Sequence, residues 1–63
     1  MTIEYDEDSD VLSIKFVKDI RYLVAESDQQ ENFIFDVNSD GETIGIEILE
    51  ASKIINQLHK KVN

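Results

Sequence analysis

The sequence predicts an α+β fold in which an antiparallel sheet of four or five strands, in β-meander order, carries one amphipathic C-terminal helix packed on one sheet face. Two observations predict this fold. Apolar residues alternate with polar ones in several short segments, which is typical of half-buried strands. Near the C-terminus the apolar spacing changes to that of a helix. With 63 residues, the chain is expected to form a single domain over 1–63.

The first two predicted strands form a hairpin that turns at Asp8-Ser9. Apolar side chains alternate with polar neighbours on both sides of this turn. Matching the two apolar faces sets Ile3 opposite Ile14 and Tyr5 opposite Leu12.

A third strand is expected at about Arg21 to Glu26. Two sets of apolar side chains compete for its buried face: Tyr22 with Val24, and Leu23 with Ala25. Its register therefore stays open.

The last two strands are predicted to fold back on each other at Asp40-Gly41, a dipeptide that suits a two-residue turn with positive φ. The register places the carboxylates of Asp36 and Glu47 on the solvent-facing side of the sheet. The predicted opposed pairs are Val37 with Ile44, Phe35 with Ile46, and Phe33 with Ile48.

A helix is expected from about Ser52, which would serve as the N-cap, with Glu50 near the positive end of the helix dipole. Lys60 and Lys61 suit its negative end. The apolar stripe comprises Ile54, Ile55, Leu58 and Val62. We expect this stripe to lie over the apolar face of the sheet.

The charge favours a basic protein partner. Fourteen acidic residues against six Lys and Arg give a net charge of -8, which argues against ordinary nucleic-acid binding through phosphates. The acidic residues near the N-terminus are the candidate partner-binding set: Glu4, Asp6, Glu7, Asp8 and Asp10. No signal sequence or membrane-length apolar run appears, and cysteine is absent, so a cytoplasmic protein is expected.

The small size favours a homodimer. A chain of this length buries only about 60% of the surface that its unfolded form exposes, and it has no cysteine to cross-link it. The predicted dimer face comprises Val11, Val17 and Ile34, on the side of the sheet away from the helix.

One spacing matches a calcium loop of the EF-hand type. The matching residues are Asp36, Asn38, Asp40, Gly41 and Glu47. An EF-hand loop joins two helices, whereas alternating strands flank this one, and their register keeps its acids from surrounding one ion. A hairpin is therefore the favoured interpretation, and we expect no metal site and no cofactor.

Catalytic groups are few. His59 is the single histidine, it lies beside Lys60 and Lys61, and no cysteine nucleophile is present. We therefore expect no catalytic residues and no enzymatic activity.

Two segments, IEYDEDSDVLSIKF and FIFDVNSDGETIGIEILEAS, resemble the small bacterial family known as domain of unknown function 2283. The residues that carry the resemblance are Tyr5-Asp6, Asp10-Val11-Leu12, Asp40-Gly41, Gly45 to Leu49, and Ala51-Ser52. The resemblance implies a small β-rich domain with a helix and no established activity. The chain also looks like a family whose members are associated with toxin and antitoxin-like gene pairs. This association does not by itself give a mechanism.

Three functions follow from these observations. The first is a small acidic protein-binding module, antitoxin-like in its engagement of a basic protein. The alternative is a homodimeric scaffold domain, and the least supported is a divalent-cation-binding domain.

Overall fold

The computed structural model describes residues 1–62, with side chains described for residues 1–58. Five antiparallel strands form one open sheet, and one helix follows, which confirms the predicted α+β fold. The strands are β1 (Thr2–Asp6), β2 (Val11–Lys15), β3 (Glu26–Gln30), β4 (Phe33–Val37) and β5 (Thr43–Leu49), and the helix is α1 (Ala51–Val62). The expectations for the side chains of His59, Lys60, Lys61 and Val62 lie outside the described residues.

The predicted meander order is wrong, because the strands run β1-β2-β5-β4-β3. β5 lies in the centre and pairs with both β2 and β4. Ile46 of β5 stands opposite Ile14 on one side and Phe35 on the other. A central position gives the isoleucines of β5 apolar neighbours on both flanks, which a sequential order would not.

The predicted third strand is also wrong in position. The segment Asp19–Arg21 forms a short 3-10 turn, and β3 occupies Glu26–Gln30 instead. β3 is an exposed edge strand that pairs with β4 through its backbone. An edge strand needs no apolar row, so the apolar residues before it gave no signal of its position.

The pairings of the first hairpin are confirmed, with Ile3 opposite Ile14 and Tyr5 opposite Leu12. In the second hairpin the turn differs from the prediction. Its loop is three residues, 39–41, closed by a hydrogen bond from the Asn38 N–H to the Glu42 carbonyl (2.9 Å). Gly41 has φ 83°, as the last residue of such a loop requires.

A register shift in β5 compensates for the longer turn. Val37 stands opposite Thr43, so the predicted pairing of Val37 with Ile44 is wrong. Beyond the irregularity, Phe35 faces Ile46 as predicted, because the extra residue, Ile44, restores the register. Phe33 likewise faces Ile48 as predicted.

The register gives the sheet two unlike faces. Across the strands, the apolar face carries the rows Ile3, Ile14, Ile46, Phe35, Asp28 and Tyr5, Leu12, Ile48, Phe33, Gln30. The opposite, polar face carries the rows Lys15, Gly45, Asp36, Ser27 and Glu4, Ser13, Glu47, Ile34. On β1, β2, β5 and β4, every member of both apolar rows has a hydrocarbon or aromatic side chain, and only the edge strand β3 contributes polar ones.

The helix covers less of the apolar face than the sequence predicts. Ala51 is buried at its start, but Ile55 and Leu58 are 52% and 59% exposed. Within the described part of the chain, the extensive contacts are those between neighbouring strands, and α1 makes none of comparable extent with any strand. The longest dimension of the molecule, 39 Å against 22 and 20 Å, also fits a helix that extends from one end of the sheet. None of the helices in residues 1–62 has the length and apolar character needed to span a bilayer.

Candidate functional site

The turn between β1 and β2 gathers the predicted partner-binding acids, and Asp6 fixes its shape. One carboxylate oxygen of Asp6 accepts the backbone N–H of Asp8 (3.2 Å) and the other accepts the Ser9 hydroxyl (2.9 Å). Both bonds are local contacts of the kind that stabilise turns. The acidic hairpin end, defined as Glu4, Asp6, Glu7, Asp8 and Asp10, is therefore an ordered structure.

Asp10 joins this hairpin end to the start of α1. Its Oδ1 accepts the Tyr5 hydroxyl (2.7 Å) and the Ser52 N–H (3.1 Å), and its Oδ2 accepts the Ser52 hydroxyl (2.7 Å). The backbone carbonyl of Asp10 also accepts the N–H of Ala51 (2.9 Å). The predicted N-cap role of Ser52 is therefore wrong, because Asp10 supplies the acceptor for the first helical turn from a distant part of the chain.

The hydrogen bonds of Asp10 shift the pKa values of Asp10 and Tyr5 in opposite directions. The bond from Tyr5, followed by those from Ser52, lowers the pKa of the Asp10 carboxyl below its ordinary value. The same contact with Asp10 raises the pKa of the Tyr5 hydroxyl. Asp10 is thus held as a carboxylate that connects the sheet to the helix.

The remaining acids of the hairpin end form no ion pair with a described basic side chain. The ion pairs among the described side chains join Lys15 to Asp19 (3.6 Å) and Lys53 to Glu50 (2.7 Å), and neither involves the hairpin end. Glu4, Asp6, Glu7 and Asp8 are all exposed. This end of the molecule therefore presents a negative field that no ion pair among the described side chains neutralises.

The polar face contains a buried carboxylate, which corrects the prediction that Asp36 faces solvent. Asp36 is only 5% exposed. It accepts hydrogen bonds from the Tyr22 hydroxyl (2.5 Å) and the Ser27 hydroxyl (3.0 Å). The connection between β2 and β3 brings Tyr22 onto this face, where burial and then Asp36 raise the pKa of the Tyr22 hydroxyl.

Gly45 provides the space in which Tyr22 lies. A Cβ at this position would approach two carbons of the Tyr22 ring to 2.8 Å and would collide with its hydroxyl. The Nζ of Lys15 lies 5.0 Å from the centre of the same ring, within the range of a cation–π contact. We call the set Lys15, Tyr22, Ser27, Asp36 and Gly45 the tyrosine clasp.

Glu47 lies beside the tyrosine clasp on the polar face. Burial raises the pKa of its carboxyl, the nearby Asp36 raises it further, and Lys15 opposes both. Both Asp36 oxygens already accept hydroxyl donors, and no buried side-chain polar atom within the described residues lacks a partner. The tyrosine clasp thus holds the β2–β3 connection in place, and its polar groups are committed to that contact.

The calcium-like spacing serves the turn and the tyrosine clasp. Asn38 Oδ1 accepts the N–H groups of Asp40 (3.0 Å) and Glu42 (3.0 Å), while Asp36 lies on the polar face against Tyr22. Strands flank the loop on both sides. Among the described residues, no three His, Cys, Asp or Glu side chains come together in a way that would hold a metal ion.

The predicted dimer face is half-buried. Val11 and Ile34 lie on the polar face of the sheet, and Val17 lies in the β2–β3 connection. The structure of one chain does not test their role in a dimer, which stays a prediction.

Sequence comparison confirms the family that the motifs indicate. A family model described as Protein of unknown function (DUF2283) matches residues 2–52. No curated protein and no solved structure matches the chain. The matched segment includes all five strands, the acidic hairpin end and the tyrosine clasp. The chain therefore belongs to the family described as Protein of unknown function (DUF2283).

Proposed function

We propose that this chain is an acidic protein-binding module that acts without catalysis and engages a basic protein through its hairpin end. The single observation that carries the proposal is the exposed set of carboxylates on an ordered turn, with no basic partner among the described side chains. Opposite charge on a partner would be attracted to this field during association. The absence of cysteine fits a cytoplasmic setting for this function.

The order of the turn adds to the electrostatic argument. Asp6 holds the backbone of the turn, and Asp10 ties it to α1 through Ser52. A surface that is ordered before binding loses less conformational entropy when a partner docks. The hairpin end therefore has both the charge and the rigidity that a basic partner would use.

Neutralisation of a basic protein, as an antitoxin performs, is the specific form of this function that we propose. The support is the sign and the size of the charge: -8 on 63 residues. Such a charge favours a partner with a cationic surface and disfavours direct contact with nucleic acid.

Charge-neutral variants of equal size provide the test. The test protein carries Glu4→Gln, Glu7→Gln and Asp8→Asn, which remove three charges from the hairpin end without changing side-chain shape. The matched control carries Glu26→Gln, Asp28→Asn and Glu31→Gln, on or beside the exposed β3 edge. The wild-type chain, the hairpin triple variant and the control triple variant are each immobilised and exposed to the native cell lysate. The measurement is the amount of basic protein that each one retains and that salt then releases.

We expect the hairpin triple variant to lose at least tenfold in retention of such a protein, and the control triple to keep most of it. Exposed charge pairs are screened over about 8 Å at physiological ionic strength, so added salt should release the partner from the wild type. Equal losses in the two triples would show that only the net charge matters. No loss in the hairpin triple would refute the proposal.

A further inference from the structure

The apolar face of the sheet is open. On β1, β2, β5 and β4 its two rows contain no charged side chain, and Asp28 and Gln30 continue them on β3 at the far edge. Ile3 is 60% exposed and Tyr5 is 50% exposed at the β1 edge. The other apolar members of the rows are only half-buried. Among the described residues, no large side chain is fully buried. An apolar surface of this continuity is uncommon on a monomer and is typical of an interaction surface.

The helix extends this surface. Tyr5, Leu12 and Ile55 line a hollow of about 400 Å³ between the first turns of α1 and the apolar face. Ile54 borders a second hollow beside Phe33. The apolar side of α1 therefore faces the same space as the sheet without filling it.

The accessible area of the chain is larger than a folded monomer of its mass should have. The chain exposes 5019 Å². A compact monomer of 7.3 kDa is expected to expose about 4,200 Å² from the scaling of area with mass. The excess of about 820 Å², to which the helix that extends from the sheet also contributes, is of the order of the roughly 800 Å² that each partner buries in a standard protein–protein interface.

We propose that a second copy of this chain covers the apolar face, so that the two sheets pack face to face with the apolar sides of both α1 helices at the edges of the contact. An apolar surface is complemented by another apolar surface, and a second copy supplies one of equal size. Asp28 lies at the β3 edge of this face, outside its apolar part. A basic partner would have to bury its charges against hydrocarbon, which is unfavourable. The inference goes beyond the proposed function, because it concerns a different surface.

The other surfaces of the sheet are poorly suited to self-association. Both edge strands carry two acids, Glu4 and Asp6 on β1 and Glu26 and Asp28 on β3, so joining edges would bring like charges together. The polar face carries the tyrosine clasp and Glu47. This arrangement moves the dimer contact from the predicted residues on the polar face to the opposite side of the sheet.

Sedimentation equilibrium of the wild type and three single variants tests the proposal. Ile3→Glu and Ile55→Glu each place a charge on the proposed interface. Leu23→Glu is the matched control, because Leu23 is 72% exposed and lies in the β2–β3 connection, whose Tyr22 packs on the polar face. All three residues are exposed in the single chain, so the substitutions should leave its fold intact, and far-ultraviolet circular dichroism checks this.

We expect the wild type and Leu23→Glu to sediment at twice the chain mass of 7.3 kDa, and both interface variants at the chain mass. The melting temperature of the wild type should rise with protein concentration, as it does when folding and association are linked. This second measurement remains informative if an interface variant does not fold.

A wild type that stays at 7.3 kDa up to about 100 µM, with a melting temperature independent of concentration, would overturn the proposal. A dimer that survives both interface substitutions, or that Leu23→Glu dissociates, would overturn the assignment of the face. The hairpin triple variant should remain a dimer, so failure of the proposed function and failure of this inference are distinguishable.

Discussion

Replacing Gly45 with alanine tests whether the tyrosine clasp is a main determinant of stability on the polar face. The added methyl group would lie 2.8 Å from two carbons of the Tyr22 ring, closer than real Cβ contacts allow. The ring is held from the other side by its hydrogen bond to Asp36. Either the ring lifts and Asp36 loses a donor, or the strand is displaced.

The expected loss of stability follows from these contacts. Overpacking of this kind costs about 1–3 kcal/mol. Loss of a hydrogen bond to a charged group costs about 1.5–3 kcal/mol, and Asp36 is nearly fully buried. Alanine recovers about 0.5–1 kcal/mol of the entropic penalty that glycine carries in a strand. We therefore expect a net destabilisation of about 3 kcal/mol, most of the stability that a single core of this size provides.

Urea unfolding of a double-mutant cycle provides the measurement, with an osmolyte such as sucrose present to preserve a folded baseline. In the Tyr22→Ala background the methyl group has space, so Gly45→Ala should become neutral or slightly stabilising. Gly41→Ala is the control substitution. A Cβ at position 41 would have no neighbouring atom within 4 Å, but the φ of 83° makes alanine unfavourable there by about 1 kcal/mol. This cost should be the same with tyrosine or alanine at position 22. Equal costs of Gly45→Ala in both backgrounds would refute the steric explanation.

Two further predictions concern ionisation. Because burial raises the pKa of Glu47, its charged form opposes folding above the ordinary value of 4.5. Glu47→Gln should therefore raise the melting temperature at pH 7, with no gain below pH 4.5, and an equal gain at both would contradict this reasoning. The pKa of Asp10 is lowered, so its contribution is present above the ordinary value of 3.8 and is lost as pH falls through the lowered one. Asp10→Ala should reduce the helical circular dichroism signal at neutral pH, whereas Asp8→Ala should not; identical spectra would contradict the capping role.

Local patterns predicted the pairs within each hairpin. Ile3 meets Ile14 because alternation fixes the face and the short turn fixes the register. In the second hairpin, the three-residue loop and the extra residue at Ile44 offset each other, so Phe35 still meets Ile46. The predicted pairs of Phe33 and Phe35 are correct although the predicted turn is wrong, because the alternation of apolar side chains determines the register more strongly than the length of the loop does.

The order of the strands could not be predicted from local sequence patterns, because the pairing of β2 with β5 joins segments that are far apart in the chain. The polarity of Glu26–Gln30 was a usable sign that this segment lies at an edge, where a strand is held by backbone hydrogen bonds. The alternation of apolar residues before it was misleading. Periodicity reports which side chains share a face and does not report which strands are neighbours.

The burial of Asp36 was missed because alternation assigns a side chain to a face without saying what covers that face. The usable signal was Gly45, which stands opposite Asp36. Glycine inside a strand often marks the close approach of another group. A tyrosine in the connection between β2 and β3 has a ring that could pack against the glycine and a hydroxyl that could donate a hydrogen bond to Asp36. Only the fold identifies Tyr22 as that group.

The strand order also explains why the two faces differ in coverage. β2 and β3 lie on opposite sides of the β5–β4 pair, so residues 16–25 must run past the ends of those strands. Hydrogen bonds from the Phe16 N–H to the Ile44 carbonyl (2.9 Å) and from Ala25 to Val37 (2.8 Å) mark this path.

In the tyrosine clasp, the Tyr22 side chain of that connection packs on the polar face. The connection therefore does not cover the apolar face. α1 starts at the opposite end of β5 and reaches the apolar face only through its first turns. Among the described residues no other segment remains to cover the two apolar rows. The open face is therefore a consequence of the topology, and the proposed dimer would give a chain of this length the closed core that it lacks alone.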